Sequence, residues 1–156
     1  MQIEDFLSPS EITIDMRTPD KVRLLGELAR QAAAKLNLPS DAVAEALLKR
    51  EELGSTGTGG GVAIPHARLA GVKKPFAMLV RLARAIDFDS IDGRPVDIVC
   101  LLLLPTHMQG EQLNALACAA RTLRNTDAVR NVRRAKDNAA LYQAVTQGSP
   151  NGVAPV

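Results

Sequence analysis

The residues best placed to do chemistry lie between Arg50 and His66. This segment holds an arginine, the hydroxyls of Ser55, Thr56 and Thr58, five glycines from Gly54 to Gly61, and a histidine that follows Pro65. A histidine with an unperturbed pKa near ~6.5 is largely neutral at neutral pH, so one ring nitrogen is free to act as a nucleophile. That nitrogen can take a phosphoryl group directly, and the P–N bond formed is labile enough to pass the group on. Such a transfer asks the protein mainly for positioning and for charge stabilisation around the phosphoryl oxygens.

The parts needed for this are present, though each has a plainer reading. Glycines tolerate positive φ and allow backbone N–H groups to converge into an anion nest, but a glycine-rich loop can equally be a flexible connection. Arg50 continues the helical stripe of Val43, Ala46 and Leu47. It is either a terminal arginine that snorkels to water at a negative helix end or an anion clamp aimed at the following loop. His66 favours the clamp, because a histidine held after a proline beside such a loop is the group that would receive the anion. His107, the second histidine, reads as an exposed loop residue.

Other chemistries lack their residues. No lysine followed by a hydroxyl residue succeeds the glycines, so the segment is not a nucleotide-binding P-loop, and its helix-to-strand setting does not suit the dinucleotide fingerprint. There is no metal-ligand spacing, no Ser/His/Asp arrangement and no implied cofactor. Cys100 and Cys118 lie in apolar patterns and read as buried thiols rather than a disulfide or metal pair.

The elements that must position the segment follow from periodicity. Glu11–Met16 alternates as a strand, and Thr18-Pro19-Asp20 reads as cap, first helical proline and first-turn acid. Leu25, Leu28, Ala29, Ala32 and Leu36 then mark a helix. A second helix opens at Pro39-Ser40-Asp41 and closes at Gly54. Val62–Ile64 is a short strand with His66 at its end, and Pro75–Arg84 is a longer one. The Asp92-Gly93 turn leads into the apolar run Pro95–Leu104, a strand buried on both faces. Leu113, Leu116, Ala117, Ala120 and Leu123 mark a further helix, and Asp137–Gln147 a last one. The expected fold is therefore α/β, a single-domain sandwich of two or three layers with a mixed sheet flanked by helices. Residues 1–147 form the domain and 148–156 a loose tail.

Composition agrees with one core. With 46% hydrophobic residues and only 3% aromatic, that core must be aliphatic. The net charge of +2 is mixed along the chain. The basic cluster Arg121, Arg124, Arg130, Arg133, Arg134 and Lys136 is interrupted by Asp127 and Asp137 and lacks aromatics, so it reads as a solvated helical face rather than a nucleic-acid site. The first residues lack the features of a signal peptide, and Val99–Pro105 is too short to cross a bilayer. A cytoplasmic protein without membrane insertion is expected.

The run from Lys49-Arg50-Glu51 through Leu53-Gly54-Ser55-Thr56-Gly57 to Ala63-Ile64-Pro65-His66-Ala67 resembles the signature of fructose/mannitol-type enzyme IIA domains of the phosphotransferase system. The nitrogen-regulatory branch, EIIA-Ntr, is the most similar, and Asp92-Gly93-Arg94-Pro95-Val96-Asp97 also matches the family pattern. The resemblance implies that His66 is phosphorylated by a small histidine phosphocarrier protein. It also implies a phosphoryl-binding set of Arg50, Ser55, Thr56, Gly57 and Gln112. Family members commonly carry a second histidine where Gln112 stands here, and glutamine can donate a hydrogen bond but carries no charge. The output implied is regulation of partners such as potassium transporters or sensor kinases. The alternatives are a stand-alone IIA of a sugar permease relay and a IIA-like binding module with impaired phosphotransfer.

Overall fold

The most apolar strand of the chain is the axis of the sheet. In the computed structural model, which describes residues 1–107, 110 and 114–147, β6 (Val96–Leu104) runs antiparallel to β5 (Phe76–Ile86), with Leu79 opposite Cys100. β1 (Ile12–Met16) joins the far side of β5 in parallel. On its other side β6 pairs in parallel with two short strands, β3 (Val62–Ala63) and β4 (His66–Arg68). β2 (Gly57–Gly59) pairs antiparallel with β3, so the sheet is mixed with the order β1-β5-β6-β3-β2 and β4 also on β6.

Alternation along β6 divides two cores, because successive side chains leave opposite faces of a strand. Ile98, Cys100, Leu102 and Leu104 pack with helices α3 (Ala115–Arg124), α4 (Thr126–Arg134) and α5 (Asn138–Thr146). Val99, Leu101 and Leu103 pack with α1 (Lys21–Leu36) and α2 (Ser40–Glu52), including Leu24, Leu28, Val43 and Leu47. The molecule is therefore a three-layer sandwich. Arg81 on β5 ties two layers together by donating to the carbonyls of Val132 and Ala135 at the end of α4, at 3.0 and 2.7 Å. The Val132 carbonyl also accepts from the Ala135 N–H at 3.3 Å, so Arg81 adds a side-chain donor to the C-terminal turn of α4.

Several local expectations need correction. The first helix is capped by Asp20, whose carboxylate accepts from the Arg23 N–H at 2.8 Å, not by Thr18. Asp20 is the last extended residue, so its side chain is the one that reaches the free N–H groups. The glycine-rich segment is not an open loop but the hairpin β2–β3. His66 does not end the preceding strand; it begins β4. Pro65 has no N–H for the ladder, and its carbonyl accepts from Leu102 at 2.9 Å, so pairing stops and restarts there. In α3 the buried stripe is Ala115, Cys118, Ala119 and Leu123, one position removed from Leu116, Ala117 and Ala120. The basic stretch after it forms a separate helix, α4, on a core stripe of Ala128, Val129 and Val132. Leu113 and the tail at 148–156 lie outside the described residues.

Leu101 is fully buried in the central strand. Leu101→Ala is expected to cost about 3 kcal/mol, the transfer of its methyl groups plus the cavity left behind. Urea denaturation, reading an unchanged slope and a lowered midpoint, checks this.

Candidate functional site

The site forms where the C-terminal turn of α2 meets the start of β4. Arg50 stands in the last turn of α2, and its Nε donates to His66 Nε2 at 3.4 Å while Nη1 donates to the Gly54 carbonyl at 2.9 Å. On the other side of the imidazole, Nδ1 lies 2.8 Å from the Ile64 carbonyl oxygen. A carbonyl has no proton to give, so Nδ1 carries the hydrogen and Nε2 keeps its lone pair. The ring is thus fixed in one tautomer with its nucleophilic nitrogen toward the guanidinium.

Burial pushes the His66 imidazole below the ordinary histidine range. The bond to the Ile64 carbonyl and the charge of Glu51 act in the opposite direction, while the Arg50 and Arg68 guanidiniums add to the lowering. The result is a histidine kept neutral, and so nucleophilic, below the pH at which a free imidazole would protonate.

The loop after α2 is held by a carboxylate that the sequence reading passed over. Glu51 is buried, and its oxygens accept from the Thr56 N–H at 3.0 Å, the Thr56 hydroxyl at 2.5 Å and Lys21 Nζ at 2.7 Å. Lys21 comes from the first turn of α1, donates also to the Phe88 carbonyl at 3.2 Å and lies over the Phe88 ring. Ser55 Oγ donates to the same Phe88 carbonyl at 2.7 Å and accepts from the Gly57 N–H at 3.0 Å. The proximity of Glu51 to Arg50 in the motif was the only available signal, since Lys21 is distant in sequence and its approach depends on how α1 packs on α2.

The sequence-derived set therefore divides. Arg50 and His66 meet directly. Ser55, Thr56 and Gly57 lie in the loop after Arg50, and the protons of both hydroxyls and of the Thr56 and Gly57 N–H groups are engaged by Phe88, Glu51 and Ser55. Gly57 is needed for close approach, since a Cβ there would fall 2.2 Å from Ser90 Oγ. The expected anion nest is not what the glycines build. Gly59, Gly60 and Gly61 have positive φ and turn the hairpin, and the Gly60 N–H is taken by Asp92 at 2.9 Å. A hairpin satisfies these backbone groups within the protein, which an open nest would leave to water. His107 is exposed, and Gln112 lies outside the described residues.

The chain and its fold have known counterparts. The model of the family described as phosphoenolpyruvate-dependent sugar phosphotransferase system, EIIA 2, matches residues 5–148. The chain belongs to this family. Among its relatives is a nitrogen regulatory protein of Bradyrhizobium diazoefficiens, 43% identical over 145 residues, which are 93% of this chain and 95% of the relative. A nitrogen regulatory protein of Pseudomonas aeruginosa is 36% identical, over 93% of this chain and 95% of that one. The crystal structure of nitrogen regulatory protein IIA-Ntr from Neisseria meningitidis superposes with a TM-score of 0.86 at 34% identity, covering 92% of this chain and 99% of the other. The Escherichia coli IIA mannitol structure, at a TM-score of 0.72 and 15% identity, covers 88% of this chain and 97% of that one and shares the fold. The chain is thus similar over nearly its whole length to nitrogen-regulatory members of the EIIA family. Among the described residues no helix is long and apolar enough to cross a membrane.

Two outcomes test the electrostatics of this EIIA site. In an NMR titration the His66 ring should protonate below the ordinary ~6.5 of a free histidine, and Arg50→Ala should raise its midpoint. Because the folded value is the lower one, the unfolded chain binds more protons just below ~6.5. His66 therefore contributes its full share of stability above that pH and loses it as the pH falls through the folded value. Separately, Glu51→Ala leaves Lys21 and the Thr56 donors without their acceptor, and is expected to cost about 3 kcal/mol in urea denaturation.

Proposed function

We propose that the chain is a regulatory phosphohistidine carrier of the nitrogen-type phosphotransferase system. The observation that carries this reading is the fixed tautomer of His66, with a lone pair on Nε2 directed at Arg50. The donor is a small histidine phosphocarrier protein. Nε2 attacks the phosphorus of the donor's phosphohistidine. As the new N–P bond forms the old one breaks, and its electron pair returns to the donor's ring nitrogen. For the lone pair to reach phosphorus the Arg50 Nε–H bond to Nε2 opens, and the released Nε–H, with the guanidinium N–H groups not bonded to Gly54, meets the phosphoryl oxygens in charge-assisted hydrogen bonds. Ser55, Thr56 and Gly57 serve by holding the loop against Arg50, and Gln112 contributes an uncharged amide donor.

The Ile64 carbonyl has a second part in this scheme. A ring that keeps its Nδ1 proton while Nε2 bears phosphorus is an imidazolium, and on transfer it departs as neutral imidazole, a better leaving group than the imidazolate that an unprotonated ring would release. The bond that selects the nucleophile thus also keeps the product ready for onward transfer. The regulatory output follows from charge, since a phosphoryl group adds about −1.5 to −2 charges to a surface that now presents an arginine. Leu53, 85% exposed beside Gly54, supplies apolar surface for a docking partner. Potassium transporters and sensor kinases are the classes of target to examine.

Incubation with phosphoenolpyruvate, enzyme I and the phosphocarrier protein is expected to give an acid-labile, alkali-stable label on wild type and none on His66→Ala. Arg50→Ala should slow labelling about tenfold or more, the loss expected for one hydrogen bond to a charged group. A wild-type chain that takes no label from a donor active on another IIA would refute the carrier and leave a IIA-shaped binding module. Rapid phosphate loss to a purified IIB protein would instead assign the chain to a sugar permease relay.

A further inference from the structure

The hairpin β2–β3 has a second end, away from His66. In the β6 register His66 stands beside Leu102 and Val62 beside Ile98, four residues earlier, or about 13 Å along the strand. There the hairpin, the 91–94 turn and helices α3 and α4 enclose an open groove of about 760 Å³. Val62, Leu123 and Val129 lie beneath its floor as core residues with at most 8% exposure, and the apolar side chain open to an occupant is Ile91, which is 89% exposed.

Around this floor stand Arg94, Arg124, Arg130, Arg133 and Arg134. Arg133 is part of the wall, bound to Asp97 at 2.8 and 3.0 Å and to the Gly60 carbonyl at 2.9 Å. Arg130 pairs with Asp127 at 2.9 Å. Arg94, Arg124 and Arg134 have no carboxylate within ion-pair distance among the described residues. Among the described residues Asp92 is the single acid in the lining, and its oxygens accept from the N–H groups of Gly60 and Arg94. The groove therefore carries a strong positive excess over an apolar floor.

We propose that this groove docks an acidic segment of a partner protein that carries apolar anchors. Carboxylates of the segment pair with Arg94, Arg124 and Arg134, and an aliphatic side chain covers Ile91. Charge complementarity selects the sign of the partner, and the exposed Ile91 beside the arginines favours a peptide with an apolar side chain over a small anion, which would leave Ile91 in water. Among the described residues no aromatic ring lines the groove to stack a base, and the Gly60 N–H is already bonded, so a nucleotide finds neither of its usual contacts there. The interaction needs no phosphate on His66 and stands apart from the carrier reading.

The test uses the unphosphorylated full chain, isotope-labelled for NMR, and a short peptide of alternating glutamate and leucine pairs. Shifts centred on Val62, Leu123 and Val129 are expected. So are affinity lost by about tenfold or more in Arg124→Glu with Arg134→Glu, and binding weakened at about 0.3 M salt. Replacing the leucines by serine should also abolish binding, and His66→Ala should leave it intact. Because His66→Ala removes labelling but not this contact, the two readings fail separately. Shifts elsewhere, no binding, an affinity indifferent to the charge reversals, or tighter binding of ADP or single-stranded DNA to the groove would each overturn the proposal.

Discussion

The carboxylate of Glu51 is the point on which the site depends. A charge at 9% exposure is tolerable only when its oxygens are fully engaged, and here one lysine and two donors of Thr56 engage them. The lysine belongs to α1, the glutamate to α2, and the threonine to the loop that leads into the hairpin. One buried group thus fixes two helices and a loop relative to each other. Arg50 is its immediate neighbour on α2 and inherits that placement.

The charge balance around His66 follows from the same arrangement. A buried imidazole flanked by guanidiniums disfavours its proton, while a backbone carbonyl retains the one hydrogen that a neutral ring has. Ile64 donates its N–H to the Thr56 carbonyl at 2.9 Å, but the Thr56 N–H that would return the bond is taken by Glu51, so the Ile64 carbonyl is left for the ring.

The glycine-rich hairpin links two regions of different character. Its first strand begins at the loop held by Glu51, and its turn lies against Arg133 and Asp92. Gly57 permits close approach to Ser90 at one end, and Gly61 permits the approach of Arg133 at the other, where a Cβ would fall 2.5 Å from a guanidinium nitrogen. The glycines are thus spent on packing and turning rather than on presenting free N–H groups to an anion.

The motif from Arg50 to His66, the family it belongs to, the strands and most helices were legible from the chain because each is written in local residue types and spacing. The apolar run of β6 announced a strand buried on both faces, and the structure divides its side chains between two cores. What the sequence could not show is contact between distant segments. Lys21 reaches Glu51 only after α1 packs on α2, and Arg94 reaches the groove beside Arg124 and Arg134 only after a turn on the sheet meets a corner between helices. The basic cluster looked like a dispersed solvated face because charges are read along the chain, whereas the groove gathers residues from four segments. Backbone hydrogen bonding likewise escaped the sequence reading. Whether a glycine's N–H faces an anion or a neighbouring strand is decided by which carbonyl or carboxylate the tertiary fold brings to it.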